Sequence, residues 1–453
     1  MIHIKNKGTI VIKRIFPLAL ISSLRFFGLF IVLPIIGLYT DEFQTSAFLA
    51  GLVAGGYALT QIIFQTPFGI WSDKYNRKHV VGIGLIIFLL GSLVCAFSTD
   101  ITLLIIGRFL QGAGAVGGVV SAQIADLVRE EERNKAMAVM GAGIFISFIL
   151  AMLLSPIVAS YYGLNTLFFI TSGLCVISLI ILYWKVPDTP SVKYHFQDNT
   201  INALLKDKNL LIMNLSAFLQ KFLMIFAFVC ISLALTHQFH IPEGDLWHIY
   251  APAAIVGVFA MGPSSVFAQK KGRFKGVMLF GIFAFVLSYF LMAFSIPQES
   301  IVLFALGVFI FFIGFAIHEP IMQSLASRYP KAHQKGAALG IFTTLGYVGS
   351  ALGGMCGGWL YEEVGLFYLS LIIAVVCIIW AALLIVFLSN PRNQKNIYLP
   401  LDNKQYSLEK LSTLDKLEGI IEWYINQNEY IAIIKYDDTF IKKEQIISAL
   451  NKG

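Results

Sequence analysis

The sequence predicts an all-α polytopic membrane protein, with twelve transmembrane helices in two pseudo-symmetric six-helix halves and a small α+β domain at the C-terminal end. Three observations carry this reading. Of 453 residues, 57% are apolar and only 13% charged, with a mean hydropathy of +0.76; a soluble globular chain carries about 25% charged residues. Twelve apolar runs reach the roughly 20 residues that a spanning helix needs. The charge density then changes abruptly, because residues 1–390 hold 24 Lys/Arg and 17 Asp/Glu, whereas the short stretch 391–453 holds nine of each. An ordinary soluble enzyme is excluded.

The runs lie at about 15–38, 46–70, 79–98, 101–123, 136–160, 164–186, 209–236, 246–268, 276–296, 300–325, 336–360 and 364–388, and we number the helices 1 to 12 accordingly. Run 1 exceeds a signal-peptide core and continues without a small-residue cleavage site, so it is expected to stay in the protein. The connections after helices 1, 3, 7, 9 and 11 carry Asp41, Glu42, Asp100, Glu243, Asp245, Glu299, Glu362 and Glu363 and no Lys or Arg. Those after helices 2, 4, 6, 8 and 10 are basic, for example Lys74/Arg77/Lys78 and Lys270/Lys271/Arg273/Lys275. By the positive-inside rule the basic connections and both termini are cytoplasmic; the expected location is the cytoplasmic (inner) membrane. The net charge of +7 belongs wholly to the membrane part; it reads as orientation in a bilayer, with no nucleic-acid partner. Cys95, Cys175, Cys230, Cys356 and Cys377 all sit in apolar runs without C-x-x-C spacing, so neither a metal site nor a disulfide framework is expected.

Internal similarity divides the chain. Gly114, Gln123, Lys135 and Ala138 recur 200 residues later as Gly314, Gln323, Lys335 and Ala338, and Asn76-Arg77 recurs as Gly272-Arg273. The expected units are an N-terminal half (1–186), a polar connector (187–208), a C-terminal half (209–390) and a soluble tail (391–453).

The segment after helix 2 reads Gly69-Ile70-Trp71-Ser72-Asp73-Lys74-Tyr75-Asn76-Arg77-Lys78. It resembles the major facilitator signature G-x-x-x-D-[RK]-x-G-R-K, with Asn76 in place of glycine; asparagine is the next best residue for a left-handed turn. Helix 4 adds Arg108-Phe109-Leu110-Gln111-Gly112-Ala113-Gly114, similar to that superfamily's second signature. Ser23-Leu24-Arg25, Gly28 and Val32-Leu33-Pro34 in helix 1, Glu319 in helix 10 and the soluble tail narrow the resemblance to the YajR-type members. It covers nearly the whole chain.

The resemblance implies a proton-linked transporter, commonly grouped with drug exporters. It also implies a conformational latch on the cytoplasmic side, built from Gly69, Asp73, Arg77, Lys78 and Asp126. Asp73 would cap the start of helix 11 near Gly336, where a helix N-terminus is partially positive, and Arg77 would pair with Asp126. The second-half loop has Gln269 where the acid should be, so the latch is asymmetric. A bland alternative makes this loop only a solvated basic connection; Asp73 is the residue that alternative leaves unexplained.

Within the membrane the embedded charges are Arg25, Arg108, Lys221 and Glu319, each costing at least ~2.5 kcal/mol at helix-centre depth. With Gln111 they form the candidate proton and substrate pathway. Arg25 and Arg108 can equally order the N-terminal half by bonding backbone carbonyls. Glu319 is the sole acid deep inside any helix and the candidate proton carrier, unless it forms a static pair with Lys221 or His318. Gln61, Gln65, Asn214 and Gln220 can line a polar cavity, although such amides often bond neighbouring helices.

Helix 5 carries Gly141, Gly143 and Pro156 but Leu154 and Ser155 where an antiporter-type member would be denser in glycine, whereas helix 11 is rich in Gly346, Gly349, Gly353, Gly354, Gly357 and Gly358. The tail reads as strand 397–401, helix 407–417, strands 420–427 and 430–436 and helix 442–451, a ferredoxin-like βαββα order. It lacks Cys and His, so metal capture is not expected there; regulation or self-association is one reading of the tail and a passive stabilising cap the other. The function that follows is proton-linked export of a small organic compound by alternating access. There is no cofactor besides the proton and no enzyme motif. The rivals are an uptake symporter and a non-transporting membrane sensor signalling through the tail.

Overall fold

The structure, a computed structural model, describes residues 2–128, 132–188, 204, 206–330, 334–389, 394–401, 411, 414, 417–426 and 431–452. Among the described residues, twelve helices are long and apolar enough to cross a membrane: Arg14–Glu42, Ala47–Lys74, Arg77–Ala96, Ile101–Leu127, Lys135–Tyr162, Leu164–Lys185, Lys208–Gln238, Trp247–Lys271, Phe274–Ser295, Ile301–Arg328, Gly336–Val364 and Leu366–Phe387. Helices 5 and 11 end at corresponding glycines, Gly163 at φ 83° and Gly365 at φ 75°. Each turns the chain directly into the next helix, at a dihedral that glycine adopts without steric cost.

Three spans depart from the simple runs. Helix 1 unwinds at Pro34, where a short 3-10 turn (Leu33–Ile35) joins Ile2–Phe30 to Ile36–Glu42. Helix 7 ends in a π turn, Ala234–Gln238. Run 4 is not one helix but two, Ile101–Ala113 and Gly117–Leu127, parted by Gly114, Ala115 and Val116. The break coincides with close packing: a side chain at Gly114 would stand 3.1 Å from the Phe88 amide nitrogen, and Gly112 lies directly on the Tyr57 carbonyl.

The two halves meet along helices 2 and 11 at the end that carries the acidic connections. Gly51 and Gly55 face Ser350, Ala351 and Gly354, and Gly358 abuts Ala47; a methyl at Gly55 would lie 2.7 Å from the Ser350 carbonyl oxygen. Helices lacking side chains at the seam approach to backbone contact, which is the usual way membrane helices gain packing energy without a hydrophobic driving force. Beneath the seam Phe148 of helix 5 packs against Phe30, Phe228, Phe312 and Phe315, with ring centroids 5.3 to 6.0 Å apart. Toward the basic end helices 2 and 11 make no such contact: nothing stands within 4 Å of a side-chain position at Gly69 of helix 2 or at Gly336 and Gly340 of helix 11, nor at Gly141 of helix 5 or Gly262 of helix 8.

The tail forms a three-stranded antiparallel sheet of β1 (Gln394–Pro400), β2 (Ile420–Asn426) and β3 (Ile431–Asp437) in the order β1-β3-β2. Helix Lys443–Lys452 covers it over a core that includes Ile397, Leu399, Ile434, Ile446 and Leu450. This is the strand order of a ferredoxin-like unit. Most of the expected helix 407–417 and most of the connector 187–208 lie outside the described residues.

Candidate translocation site

At the basic end of the N-terminal half, Asn76 caps helix 3 by accepting from the Lys78 amide at 3.0 Å, the N-cap role that asparagine fills well. This turns Arg77 inward, 4% exposed, where its guanidinium lies 2.9 Å from Asp126 of helix 4 and 3.3 Å from Asp73. Asp73 itself is 56% exposed. It bonds within its own half, and the space in front of Gly336 is open. The structure therefore assembles Asp73, Arg77 and Asp126 but does not bring Asp73 onto helix 11, because the halves are parted at this end. Lys78 reaches the Tyr183 carbonyl at 3.4 Å and the Tyr183 ring. Gly69 touches no neighbouring helix.

Deeper in, Arg108 is fully buried and donates to the carbonyls of Val53 at 2.8 Å and Leu29 at 3.4 Å and to Gln111 Oε1 at 2.6 Å; Gln111 passes the network on to Ser92 Oγ at 2.8 Å. The Tyr57 ring lies 5.2 Å away. These bonds brace helices 1 to 4 against each other. Of the two readings open for Arg108, the geometry favours the ordering one, with Gln111 as part of the brace. Charge-assisted bonds of this kind compensate the desolvation of an embedded cation.

Arg25 is different. It is 3% exposed and donates from Nη2 to the Gly114 carbonyl at 3.0 Å, while Nε and Nη1 have no hydrogen-bond partner.

In the C-terminal half, Lys221 Nζ and Gln220 Nε2 each donate to Glu319 Oε2 at 2.9 Å. The ion-pair side chains are 29% and 28% exposed, and Lys221 lies 5.6 Å over the Phe315 ring. Glu319 immediately precedes Pro320 in helix 10, where the ring leaves a backbone carbonyl without its helical donor. His318 is not Glu319's partner: it is fully buried, donating from Nε2 to the Met278 carbonyl at 2.7 Å, with Phe285 and Trp380 edge-on. Asn214 is buried on helix 7. Gln61 is buried with its amide nitrogen unpartnered.

At the opposite, acidic end lies a closure that sequence reasoning did not assemble. Glu362 of helix 11 accepts from the Ala47 amide at 2.6 Å, capping helix 2 from the other half. Ser232 of helix 7 accepts from the Gly37 amide at 2.8 Å and donates to the Pro34 carbonyl at 3.3 Å, satisfying the backbone freed where helix 1 unwinds. His237 meets Asp41 at 3.1 Å and Thr40 at 3.2 Å. Thr40, Asp41, Gln44, His237, Tyr361 and Glu362 line a 220 Å³ cavity there. The acids were visible in the sequence as members of outer connections, but their partners lie 196 and 315 residues away and no local spacing links them. Among the described residues, no group of His, Cys, Asp and Glu is placed to hold a metal ion.

The geometry is that of two helical halves sealed at one face and parted at the other, with an ion pair exposed between them. Residues 18–354 match the Major Facilitator Superfamily model. The chain is 30% identical to the inner membrane transport protein YajR of Escherichia coli K12 over 445 residues, 96% of each chain. It is 24% identical to multidrug resistance protein 2 of Bacillus subtilis over 353 residues, covering 74% of this chain and 86% of the relative. Its fold superposes on a D-xylose–proton symporter with a TM-score of 0.69 at 14% identity, covering 84% and 99% of the two chains. The chain belongs to the Major Facilitator Superfamily, a family of membrane transporters and not of enzymes.

Proposed function

We propose that this protein is a proton-linked secondary transporter of the inner membrane that exports a small organic compound by alternating access. The basic connections, both termini and the tail face the cytoplasm, as the positive-inside rule requires, so the conformation described above is open to the cytoplasm and sealed outside. The observation that carries the reading is the Lys221–Glu319 pair, partly exposed in the opening between the halves. A carboxylate held by one ammonium and one amide is a group that can trade its partner for a proton. Protonating Glu319 frees Lys221 and changes the charge of the site, and a proton crossing 100 mV releases ~2.3 kcal/mol to drive the cycle.

In this reading Arg77, Asp126 and Asp73 form the clasp that closes the cytoplasmic face once the halves rock together, and Glu362, Ser232 and His237 hold the outer face in the conformation seen here. The tail serves regulation or self-association. Export accords with the similarity to a multidrug resistance protein. Uptake by symport is the second reading, favoured by helix 5, where Leu154 and Ser155 break the glycine-dense pattern of antiporters.

Proteoliposomes with a defined orientation and an imposed pH gradient test this. Export predicts that acidifying the compartment facing the acidic connections drives compound into that compartment, and that Glu319→Gln abolishes the gradient dependence. Flux toward the basic side under the same gradient would establish the symport reading instead, and ligand binding without any flux would establish the sensor.

A further inference from the structure

We infer that the substrate carries an oxyanion, held in the middle of the membrane by Arg25 and the N-terminus of the second half of helix 4. The inference rests on the transport reading above, whose substrate class it names.

Arg25 is a fully charged side chain at membrane depth with two donors unspent, Nε and Nη1. The titratable groups that act on it are Tyr347, Tyr57 and Cys175, and none of them is a carboxylate. Phe88 and Phe26 flank its guanidinium at 5.5 and 5.7 Å from their ring centroids. An embedded arginine of this kind is normally neutralised or saturated by carbonyls, as Arg108 is.

Nη1 is aimed at the break in helix 4. A side-chain atom at Gly117 would lie 4.0 Å from Nη1 and touch nothing else, and Gly118 faces open space and is exposed. Val116 supplies no side-chain cap, so the first-turn amides of Gly117, Gly118 and Val119 have no acceptor within the helix. A helix N-terminus carries a partial positive charge and binds anions through such amides. Broken backbone at this depth is tolerated where it lines a cavity.

Two positive features thus converge on one small space across two glycines, and among the described residues no carboxylate acts on Arg25 there. A carboxylate or phosphate there would accept from the guanidinium fork and the free amides together, the arrangement that gives charge-assisted recognition its strength. Tyr347 belongs to helix 11 of the other half, so the bound group sits between the halves. The C-terminal half cannot duplicate the site, because helix 10 runs unbroken from Ile301 to Ala326 and its cation, Lys221, is already paired.

The test uses full-length protein in phosphatidylcholine nanodiscs and isothermal titration with benzoate, phenyl phosphate and, as the uncharged control, benzyl alcohol. The expected result is binding of at least one of the two anions at least tenfold tighter than benzyl alcohol, reduced about tenfold or more in Arg25→Gln. Gly117→Val, which keeps the charge but fills the space before Nη1, should lose binding to the same extent and serves if Arg25→Gln does not fold. Anion binding no tighter than benzyl alcohol, or binding retained in both variants, overturns the site. Loss of binding when phosphatidylglycerol is added assigns the site to a lipid headgroup and overturns the substrate assignment. The two readings fail separately: anion binding without pH-driven flux leaves the site standing and removes the transport mechanism, whereas pH-driven flux undiminished in Arg25→Gln leaves transport standing and removes the site.

Discussion

A valine at Gly354 should hold the outer face open. In the closed seam, a Cβ at this position would stand 2.9 Å from the Gly55 amide nitrogen and 3.0 Å from its Cα, and nearer still to the Gly51 carbonyl. Carbon contacts relax only at about 3.5–4.0 Å, so the nearest of these contacts, on the Gly51 carbonyl, requires helices 2 and 11 to separate by roughly 1 to 1.5 Å. The opposing atoms are backbone and cannot rotate away. Overpacking of this kind costs about 1–3 kcal/mol, and the cost falls only on the state in which the helices touch. It therefore translates into a shift of roughly 5- to 150-fold in the equilibrium between outer-closed and outer-open forms.

Spin labels at Thr99→Cys and Gln298→Cys, both exposed and on connections of opposite halves at the acidic end, report this as a distance distribution in a cysteine-free background. Gly354→Val should move the population to longer distances and slow transport in proportion. Gly340→Val, on the same helix but facing open space, carries the same propensity penalty and should leave the distribution unchanged. A wild-type distribution in Gly354→Val, or an equal shift in Gly340→Val, would refute the steric argument.

Two further outcomes follow from the charges. Arg77→Gln strands the buried Asp126 and should destabilise the protein by ~3 kcal/mol in the manner of a broken buried pair, whereas Asp73→Asn, at an exposed site, should cost under about 1 kcal/mol; equal shifts in thermal unfolding would contradict the geometry. In the tail, Lys395 at 2.7 Å and Lys442 at 3.3 Å hold the Asp438 carboxyl below its usual range, the Lys395 hydrogen bond first among the causes. A depressed acid stabilises the fold above its unfolded value of about 3.9 and ceases to do so as pH falls through the lower, folded value. Hydrogen-exchange protection of Gln394–Pro400 in the full-length protein should thus be flat through neutral pH and fall only below about pH 4, and Asp438→Asn should remove that dependence.

What the sequence made legible is whatever depends on local pattern. Twelve runs of sufficient length give twelve spans within a few residues, the three strands of the tail fall within a few residues of their expected bounds, and the glycines of helix 11 announce a close contact without naming its partner. Geometry created by packing was not legible. Gly112 and Gly114 read as letters of a signature within one continuous membrane helix, yet the press of Tyr57 and Phe88 against them accompanies a break that no proline marks. Arg25 and Arg108 are indistinguishable as embedded arginines in a string of letters; only three-dimensional bookkeeping of their donors separates a saturated brace from an unspent cation. Glu362 read as one of several outer acids, and its capping of Ala47 depends on two halves meeting in one conformation. The expected Asp73 contact with helix 11 is not made in this structure, where Asp73 pairs with Arg77 of its own half.

The central claim is that Glu319 couples a proton to movement of the halves, and the most direct test separates coupling from movement. In proteoliposomes, substrate counterflow needs the halves to exchange but needs no net proton transfer, whereas gradient-driven accumulation needs both. Glu319→Gln preserves the shape of the side chain and its reach toward Lys221 but cannot titrate. The account predicts that this variant retains counterflow and loses accumulation driven by a pH gradient; accumulation at the wild-type level in Glu319→Gln would contradict it.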